Sequence, residues 1–184
     1  MKKEKLKKVV LSAMFLSIGL VLPFFTGQIK QVGNMLLPMH IPVFLCGLIC
    51  GWQYGLIVGI VMPIVRSFAF GMPHMYPNAI AMAFELAGYG FFSGFLYSHS
   101  KYKCIKALYK CILAAMVGGR LIWGVAEVIL LGLGGSVFTF GMFMSGAILK
   151  SVPGIILQLV IIPVIMVSLK KAKMVPIVKK SLKH

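Results

Sequence analysis

Acidic residues are almost absent from this chain: three of its 184 residues are aspartate or glutamate, against 19 lysines and arginines. Several catalytic signatures are absent as well. There is no H-E-x-x-H motif, no G-x-S-x-G motif and no Walker A loop. The chain therefore has no P-loop with which to hydrolyse ATP, and we interpret it as a non-enzyme. If it moves a solute against a gradient, a partner or an ion gradient must supply the energy.

Cysteines are few, and their spacing indicates neither a disulfide framework nor a metal site. Cys46 and Cys50 lie one helical turn apart in an apolar segment, whereas Cys104 and Cys111 lie at the side of the membrane that we predict to be cytoplasmic. Thiols stay reduced there. Because the chain also has no CxxC pair and no zinc-type spacing of cysteine and histidine, we expect no disulfide and no metal site.

Apolar residues dominate what remains. The chain is 60% hydrophobic and 12% charged, which is the composition of an integral membrane protein. A net charge of +16 also occurs in nucleic-acid-binding proteins, but here the basic residues flank apolar runs and form no patch. Anionic lipid headgroups are therefore the expected partner, and nucleic acid is not. We predict a single transmembrane domain, residues 1–184, with the run 9–25 kept as its first helix.

The basic residues lie in three short stretches, which we predict to be cytoplasmic. Fifteen of the 19 lysines and arginines fall in the tail 1–8, the loop 98–110 and the tail 170–184. Lysine and arginine accumulate in cytoplasmic loops. Both termini are then cytoplasmic, and the number of membrane crossings between successive basic stretches is even.

The first half of the chain requires four crossings. Three apolar blocks, 9–25, 41–70 and 79–97, separate the first two basic stretches, so the middle block has to split. Gly51-Trp-Gln-Tyr-Gly55 offers the break, because glycines punctuate it and its aromatics suit an interface. The second helix, near 37–50, is then shorter than the roughly 20 residues that span a bilayer. Its neighbours have to compensate by mismatch or tilt.

The second half requires two crossings. One span covers 111–131 and ends at the glycine-rich turn 132–136, and the last span starts near Ser151, about 20 residues before Lys170. Residues 137–149 are expected to form an outer-leaflet or re-entrant piece. The predicted fold class is an all-α integral membrane protein of six transmembrane helices.

Five charged residues fall within or at the ends of the predicted spans: Arg66, Glu85, Arg120, Glu127 and Lys150. A charge inside a bilayer is costly, so it indicates either a functional site or a structural pair. A rise of about 1.5 Å per residue puts all five in the outer half of the membrane, which predicts a polar cavity open to the outside. In the structural alternative, Arg66 pairs with Glu85 and Arg120 with Glu127. Three cations against two carboxylates leave one positive charge, which favours an anionic or carboxylated ligand.

The candidate ligand contacts come from this region and from the outer segment before the second helix. They are Asn34, His40, Arg120, Trp123, Glu127 and Lys150. Arg120 and Lys150 are the candidate anchors for an anionic group, through charge-assisted hydrogen bonds. Arg66 and Glu85 are assigned a role that is either structural or in substrate binding.

Several short segments together resemble one known family. They are 11–23, Leu37-Pro-Met-His-Ile-Pro-Val43, Gly51–Gly55, Gly71-Met-Pro73 and Glu85-Leu-Ala-Gly-Tyr-Gly90. In this combination, and over nearly its whole length, the chain resembles the substrate-binding membrane subunit (S component) of an energy-coupling factor (ECF) vitamin transporter. Such subunits are small, basic, six-helical bundles with both ends cytoplasmic.

The resemblance implies the partners. A transmembrane coupling subunit and two paired ATPases would work with the chain, so that ATP is used by the partners and the chain itself needs no cofactor. A small-residue face of the first helix docks against the coupling subunit in that family, and the corresponding stretch here is Ala13-Met-Phe-Leu-Ser17. Close helix approach through small residues has a physical basis. The family's S components topple in the membrane to release their substrate inside.

The resemblance also implies a ligand near the outer surface, under the loop between the first two helices and among the last three. The segments 37–43 and 71–73 look closest to the pantothenate-type branch, and pantothenate carries a carboxylate. Other carboxylated vitamins or a B6 vitamer fit as well. The expected location is the cell membrane of a bacterium. The alternative function is a stand-alone ion-coupled secondary transporter in which Glu85 or Glu127 is the titrating group.

Overall fold

The structure, a computed structural model, describes residues 2–26, 38–100, 104–135, 139–146 and 151–171, and the regular secondary structure in these ranges is helical. Six helices form the bundle: α1 Lys2–Thr26, α2 His40–Cys50, α3 Trp52–Phe70, α4 Ile80–His99, α5 Ile105–Leu133 and α6 Val152–Lys171. A five-residue helix, Phe140–Met144, lies between α5 and α6, and an irregular π-helical turn, Met75–Ala79, precedes α4.

Five of the six helices are long and apolar enough to cross a membrane, namely α1, α3, α4 with its preceding turn, α5 and α6. The remaining helix, α2, is apolar but only 11 residues long. The prediction of an all-α membrane fold with six helices, the second of them short, is therefore confirmed.

The predicted break in the middle apolar block is also confirmed, and it falls at Gly51. The helix α2 ends at Cys50 and α3 begins at Trp52, with the single residue Gly51 between them at φ 110°. Side-chain-bearing residues rarely adopt this conformation, so glycine allows the chain to reverse within one residue.

The short helix α2 is the buried centre of the bundle. Every residue of α2 except Ile49 is buried, as expected for a helix that is apolar on all sides. It packs against α1, α3, α4 and α6. Its 11 residues rise about 16 Å, roughly half of a 30 Å hydrocarbon core. Following the predicted orientation, we call the end of α2 near Gly51 its inner end and the end near His40 its outer end.

Glycines bring the backbones of α2, α3 and α4 into direct contact near the inner end of α2. A Cβ atom added to Gly90 would lie 2.2 Å from the carbonyl oxygen of Gly55, and one added to Gly47 would lie 2.4 Å from that of Gly90. Neither distance is possible for real atoms. These positions therefore require glycine, and the three helices are locked at this level.

Two predicted boundaries need correction. The connection between α4 and α5 is shorter than the predicted loop 98–110, because α4 continues to His99 and α5 already begins at Ile105. The basic tail 1–8 is part of a helix, since α1 begins at Lys2. Both extensions consist largely of good helix formers, and lysine side chains reach the headgroup region from a helix end without breaking it. Clusters of basic residues therefore predict which side of the membrane a segment faces, but they do not show where its helix ends.

The connection between α3 and α4, predicted as an outer loop at 71–78, is anchored to the bundle. The Ser67 hydroxyl of α3 donates a hydrogen bond of 2.6 Å to the carbonyl oxygen of Pro73, and the Tyr76 hydroxyl donates one to the carbonyl oxygen of Leu130 at the end of α5. The segment thus links the ends of α3 and α5. Of the predicted piece 137–149, the structure describes 139–146, which includes the helix Phe140–Met144.

Candidate substrate-binding site

A buried carboxylate, Glu85 of α4, is the centre of the candidate site. Its Oε1 atom lies 2.8 Å from Nη1 of Arg120 on α5 and accepts a hydrogen bond of 2.7 Å from the hydroxyl of Tyr89, one turn further along α4. The Nε2 atom of His40, the first residue of α2, lies 3.7 Å from the same oxygen. We call His40, Glu85, Tyr89 and Arg120 the ionic cluster. It joins three helices around one ion pair.

Aromatic packing holds the ionic cluster in place. The ring of Phe44, one turn after His40 on α2, stacks on the ring of Tyr89 with centroids 5.0 Å apart. The imidazole of His40 packs against the same ring at 5.2 Å. Tyr89 is 2% exposed, so its hydroxyl has little freedom to leave Glu85. The carboxylate is thereby fixed in a dry environment, where a paired charge is tolerated and a lone one is costly.

Several buried side-chain nitrogens, three of them in the ionic cluster, have no hydrogen-bond partner among the described residues. Among the described residues, the buried side-chain polar atoms without a partner are Nδ1 and Nε2 of His40, Nε of Arg120 and Nε2 of Gln158. Arginine and amide nitrogens can only donate, and an imidazole donates from at least one of its nitrogens. Buried polar groups are nearly always satisfied. This region therefore has the chemistry to receive a group rich in acceptor oxygens.

A second group of side chains lies further along α5 towards its outer end. Trp123 stacks on Phe143 of the short helix, with ring centroids 6.1 Å apart and an angle of 26° between the planes. Glu127, one turn beyond Trp123, is buried and contacts it by a side-chain hydrogen bond. A Cβ atom on Gly146 would lie 2.8 Å from the Trp123 ring, so the backbone after the short helix reaches this indole as well. We call Trp123, Glu127 and Phe143 the aromatic wall.

A family comparison identifies what kind of protein carries this site. The sequence profile of the family described as "ECF transporter, substrate-specific component" matches residues 7–166, from the second turn of α1 to the last turns of α6. The chain belongs to this family. No curated protein and no solved structure matches the chain.

The family membership fixes the general role of this S component. It is a multi-pass protein of the cell membrane, a transporter subunit and not an enzyme, and it is the part of an ECF transporter that recognises the substrate. S components generally pair with an ECF energising module. The sequence resemblance to the family is confirmed, whereas the identity of the substrate is not fixed by the family.

The structure brings together some of the sequence-predicted site residues of this S component. His40, Glu85 and Arg120 meet in the ionic cluster, and Trp123 and Glu127 lie on the next turns of α5. Asn34 and Lys150 lie outside the described residues. The roles assigned to these residues in ligand binding stay predictions.

The ion pairs of the structural alternative are wrong, because Arg120 pairs with Glu85 of α4 and Arg66 faces α1. Arg120 and Glu127 are separated by about 10 Å of helical rise, too far for direct contact. The Arg66 Nη1 atom donates to the carbonyl oxygen of Leu20 at 3.1 Å, and its guanidinium lies 5.7 Å from the centroid of the Phe24 ring. Arg66 therefore joins α1 to α3 and lies outside the ionic cluster.

The predicted docking residues of the S component lie on the outward face of α1. Ala13 and Ser17 are both exposed, and the Ser17 hydroxyl donates to the carbonyl oxygen of Ala13 at 3.0 Å. Because this hydroxyl is satisfied within its own helix, Ser17 presents a small and largely apolar surface. The buried side of α1, which includes Phe15 and Gly19, faces the bundle.

Three residues of the site were missed by sequence reasoning. Tyr89 could have been found, because it stands four residues after Glu85 and residues four apart share a helix face. Gln158 could also have been found, as the only amide side chain in the most apolar of the candidate spans. Phe143 carries no signal of this kind, because it is one of 13 phenylalanines and its neighbours are apolar. In the described part of the chain, no group of three potential metal ligands occurs.

Proposed function

We propose that this S component binds a carboxylated vitamin, with pantothenate as the best candidate, at the level of the ionic cluster. The proposal rests on the hydrogen bonding of the Arg120 guanidinium. Its Nη1 atom is held by Glu85 at 2.8 Å, while its buried Nε atom has no acceptor among the described residues. A guanidinium has five N–H donors in one plane, so it can serve Glu85 and a ligand carboxylate together.

Pantothenate also matches the rest of the site in its chemistry. Between its carboxylate and its two hydroxyls it has an amide, so it offers acceptor oxygens to His40, Arg120 and Gln158 and donor groups to the carboxylate of Glu127. Lys150 and Asn34, which belong to the connections on the outer side, complete the proposed contact set, with Lys150 as the second anchor for the carboxylate. Glu85 orients Arg120 and is not itself proposed to touch the ligand.

The proposed partners are a transmembrane coupling subunit and two ATPases. In this arrangement ATP is hydrolysed only by the partners. Ala13 and Ser17 would meet the coupling subunit, because small residues let two helices approach closely. Their exposure on α1 leaves this face free of contacts with the rest of the bundle.

The alternative of a stand-alone ion-coupled carrier has less support than the S-component role. Such a carrier needs a carboxylate that gains and loses a proton or sodium ion in each cycle. Glu85 is instead held by Arg120 and Tyr89 at hydrogen-bonding distances. Glu127 is buried without an ion pair among the described residues, as such a carboxylate would be. The family match, however, is to a component that generally pairs with an energising module, so we retain the S-component role alone.

The proposal is tested by equilibrium binding to the purified subunit, with pantothenate and with panthenol, in which an alcohol replaces the carboxylate. The single change Arg120→Gln would leave Glu85 unpaired, so the informative variant is the double change Glu85→Gln with Arg120→Gln, which keeps the pair neutral. We expect this variant and Lys150→Gln each to weaken pantothenate binding at least about 30-fold, which corresponds to about 2 kcal/mol.

Panthenol binding is expected to change less than about 3-fold in the same variants. Panthenol has no carboxylate, so it makes no ion pair that these substitutions could remove. Arg66→Gln is the matched control, since Arg66 contacts α1 and not the ionic cluster. Unchanged pantothenate affinity in a well-folded double variant would reject Arg120 as the anchor. Absence of pantothenate binding by the parent protein would reject the proposed substrate.

A further inference from the structure

Gln158 is a buried polar residue in a strongly apolar helix. The helix α6 is the most apolar of the candidate spans, with a mean hydropathy of 2.5 against 1.4 to 1.7 for the others. Gln158 is nevertheless 2% exposed, and its Nε2 atom has no partner among the described residues. An amide N–H without an acceptor in a dry interior is unfavourable. Such an N–H marks a position at which an acceptor oxygen of a ligand would be favourable.

The helix positions place Gln158 in the same part of the bundle as Arg120. Ile105 and Leu108 of α5 line the same small cavity as Met166 and Lys170 of α6, so these turns of the two helices lie side by side. From there Arg120 is about 18–22 Å further along α5 and Gln158 about 12–18 Å further along α6, a difference of at most about two helical turns.

The buried face of α6 points Gln158 inward. Gly154 and Ile162, one turn before and one turn after Gln158, are buried as well. The helix α6 packs against both α2 and α5, which carry His40 and Arg120. Nitrogens without a partner among the described residues therefore occur on α6 and on the two helices, α2 and α5, that it contacts. None of these atoms touches solvent, so a ligand reaches them only when the groups that cover them move apart.

We propose that Gln158 is a specificity-determining residue of the substrate site, and that its amide nitrogen donates a hydrogen bond to an uncharged carbonyl or hydroxyl oxygen of the substrate. This inference rests on the proposed function, because it names a further contact in the same site. The carboxylate goes to Arg120, since a hydrogen bond between two charged groups is roughly twice as strong as a neutral one. The neutral amide is left for a neutral acceptor. Gln158 thus recognises a part of the substrate that the charged anchors do not recognise.

The test is the change Gln158→Leu, measured by equilibrium binding of pantothenate and of panthenol. Both molecules have the amide carbonyl and the hydroxyls, so we expect both to bind about 10-fold more weakly, which corresponds to about 1.4 kcal/mol. The variants of the carboxylate anchors, in contrast, weaken pantothenate alone. Gln53→Leu is the matched control, because it removes the same amide from an exposed position near the inner turn and is expected to leave both affinities unchanged.

Two binding results would overturn the inference. Unchanged affinity for both ligands would show that Gln158 makes no contact with the substrate, and a loss confined to pantothenate would show that it contacts the carboxylate. A stability measurement excludes a structural role. Because the Nε2 atom has no partner among the described residues, Gln158→Leu is expected to melt at or above the temperature of the parent, and a clear fall would overturn the inference.

The choice of ligand separates this inference from the proposed function. Biotin and pyridoxine also have uncharged acceptor oxygens, and they are assayed beside pantothenate. If the parent binds one of them and not pantothenate, the proposed substrate is wrong. In that case a 10-fold loss of the bound vitamin in Gln158→Leu still supports the contact, and an unchanged affinity overturns it.

Discussion

Two levels of the same bundle are built in opposite ways. At the inner level, α2, α3 and α4 meet backbone to backbone through Gly47, Gly55 and Gly90, with no room for a single added carbon. At the outer level, α2, α4 and α5 meet through the side chains of the ionic cluster, where an ion pair coexists with nitrogens that have no partner among the described residues. The inner level is closed by backbone contacts, whereas the outer level is built from polar side chains.

The difference shows how one small protein can hold a fixed shape and still accept a substrate. Close-packed backbones cannot shift without clashes, so the inner level keeps the helices in register. In the proposed site a ligand would supply acceptors to polar groups of the outer level, so we expect binding to stabilise that level. The proposal thus assigns stability and recognition to different turns of the same helices, above all of α4, where Glu85 and Gly90 are only five residues apart.

The largest expected effect on stability is at the ion pair. Glu85→Gln leaves the charge of Arg120 buried without its partner, and removal of one member of a buried pair costs about 3–5 kcal/mol. The measurement is the free energy of unfolding of the purified subunit in detergent. Glu127→Gln is the matched control, because Glu127 forms no ion pair among the described residues; its expected loss is below about 1 kcal/mol. Equal losses of unfolding free energy in the two variants would show that the ion pair does not stabilise the outer level.

A somewhat smaller effect is expected at the inner level. Gly90→Ala puts a Cβ atom 2.2 Å from the carbonyl oxygen of Gly55, and because that atom belongs to the backbone, the helices have to move apart. Overpacking of this kind costs about 1–3 kcal/mol. Gly132→Ala on α5, which meets nothing within 4 Å, is expected to change the free energy of unfolding by less than about 1 kcal/mol, in the stabilising direction. A Gly90→Ala variant as stable as the parent would show that the inner level is not locked.

The smallest effect on the isolated subunit is expected at the docking face, which belongs to neither level. Ala13 is exposed, so Ala13→Trp is expected to change the free energy of unfolding by less than about 0.5 kcal/mol and to leave substrate affinity unchanged. Uptake by cells that contain the complete transporter is expected to collapse, because the indole keeps the partner helix at a distance. Normal uptake with this variant would remove Ala13 from the interface.

The sequence predicted the elements of the fold better than the contacts of the site. The break at Gly51 followed from the parity of crossings between basic stretches, whereas the depth of the charges in the membrane stays a prediction. The partner of Arg120 could not be predicted in this way. Rise along one helix does not specify which side chain of a neighbouring helix faces it, and Glu85 lies on another helix, 35 positions away in the chain. The wrong pairing of Arg120 with Glu127 came from reasoning within one helix.

The sequence also did not predict which side chains are buried. Gln158 and Tyr89 are visible as polar residues in apolar spans, but only the packing of α6 and α4 shows that both are buried and that Nε2 of Gln158 has no partner in the described part of the chain. Likewise, the glycines at 47, 55 and 90 are scattered along the chain, and their meeting at one level depends on the register of three helices.

The central claim, that the substrate binds at the outer level and not at the inner one, is tested most directly by photo-crosslinking. A diazirine derivative of pantothenate, or of whichever vitamin the parent binds best, is irradiated with the purified subunit, and the labelled residues are mapped by mass spectrometry. We predict labels on the outer turns of α5 at 120–127, on α6 at 151–158 and near His40, all of them lost when the unmodified vitamin is added in excess. Labels concentrated at 90–97 of α4 or 162–170 of α6, and lost in the same competition, would contradict the account.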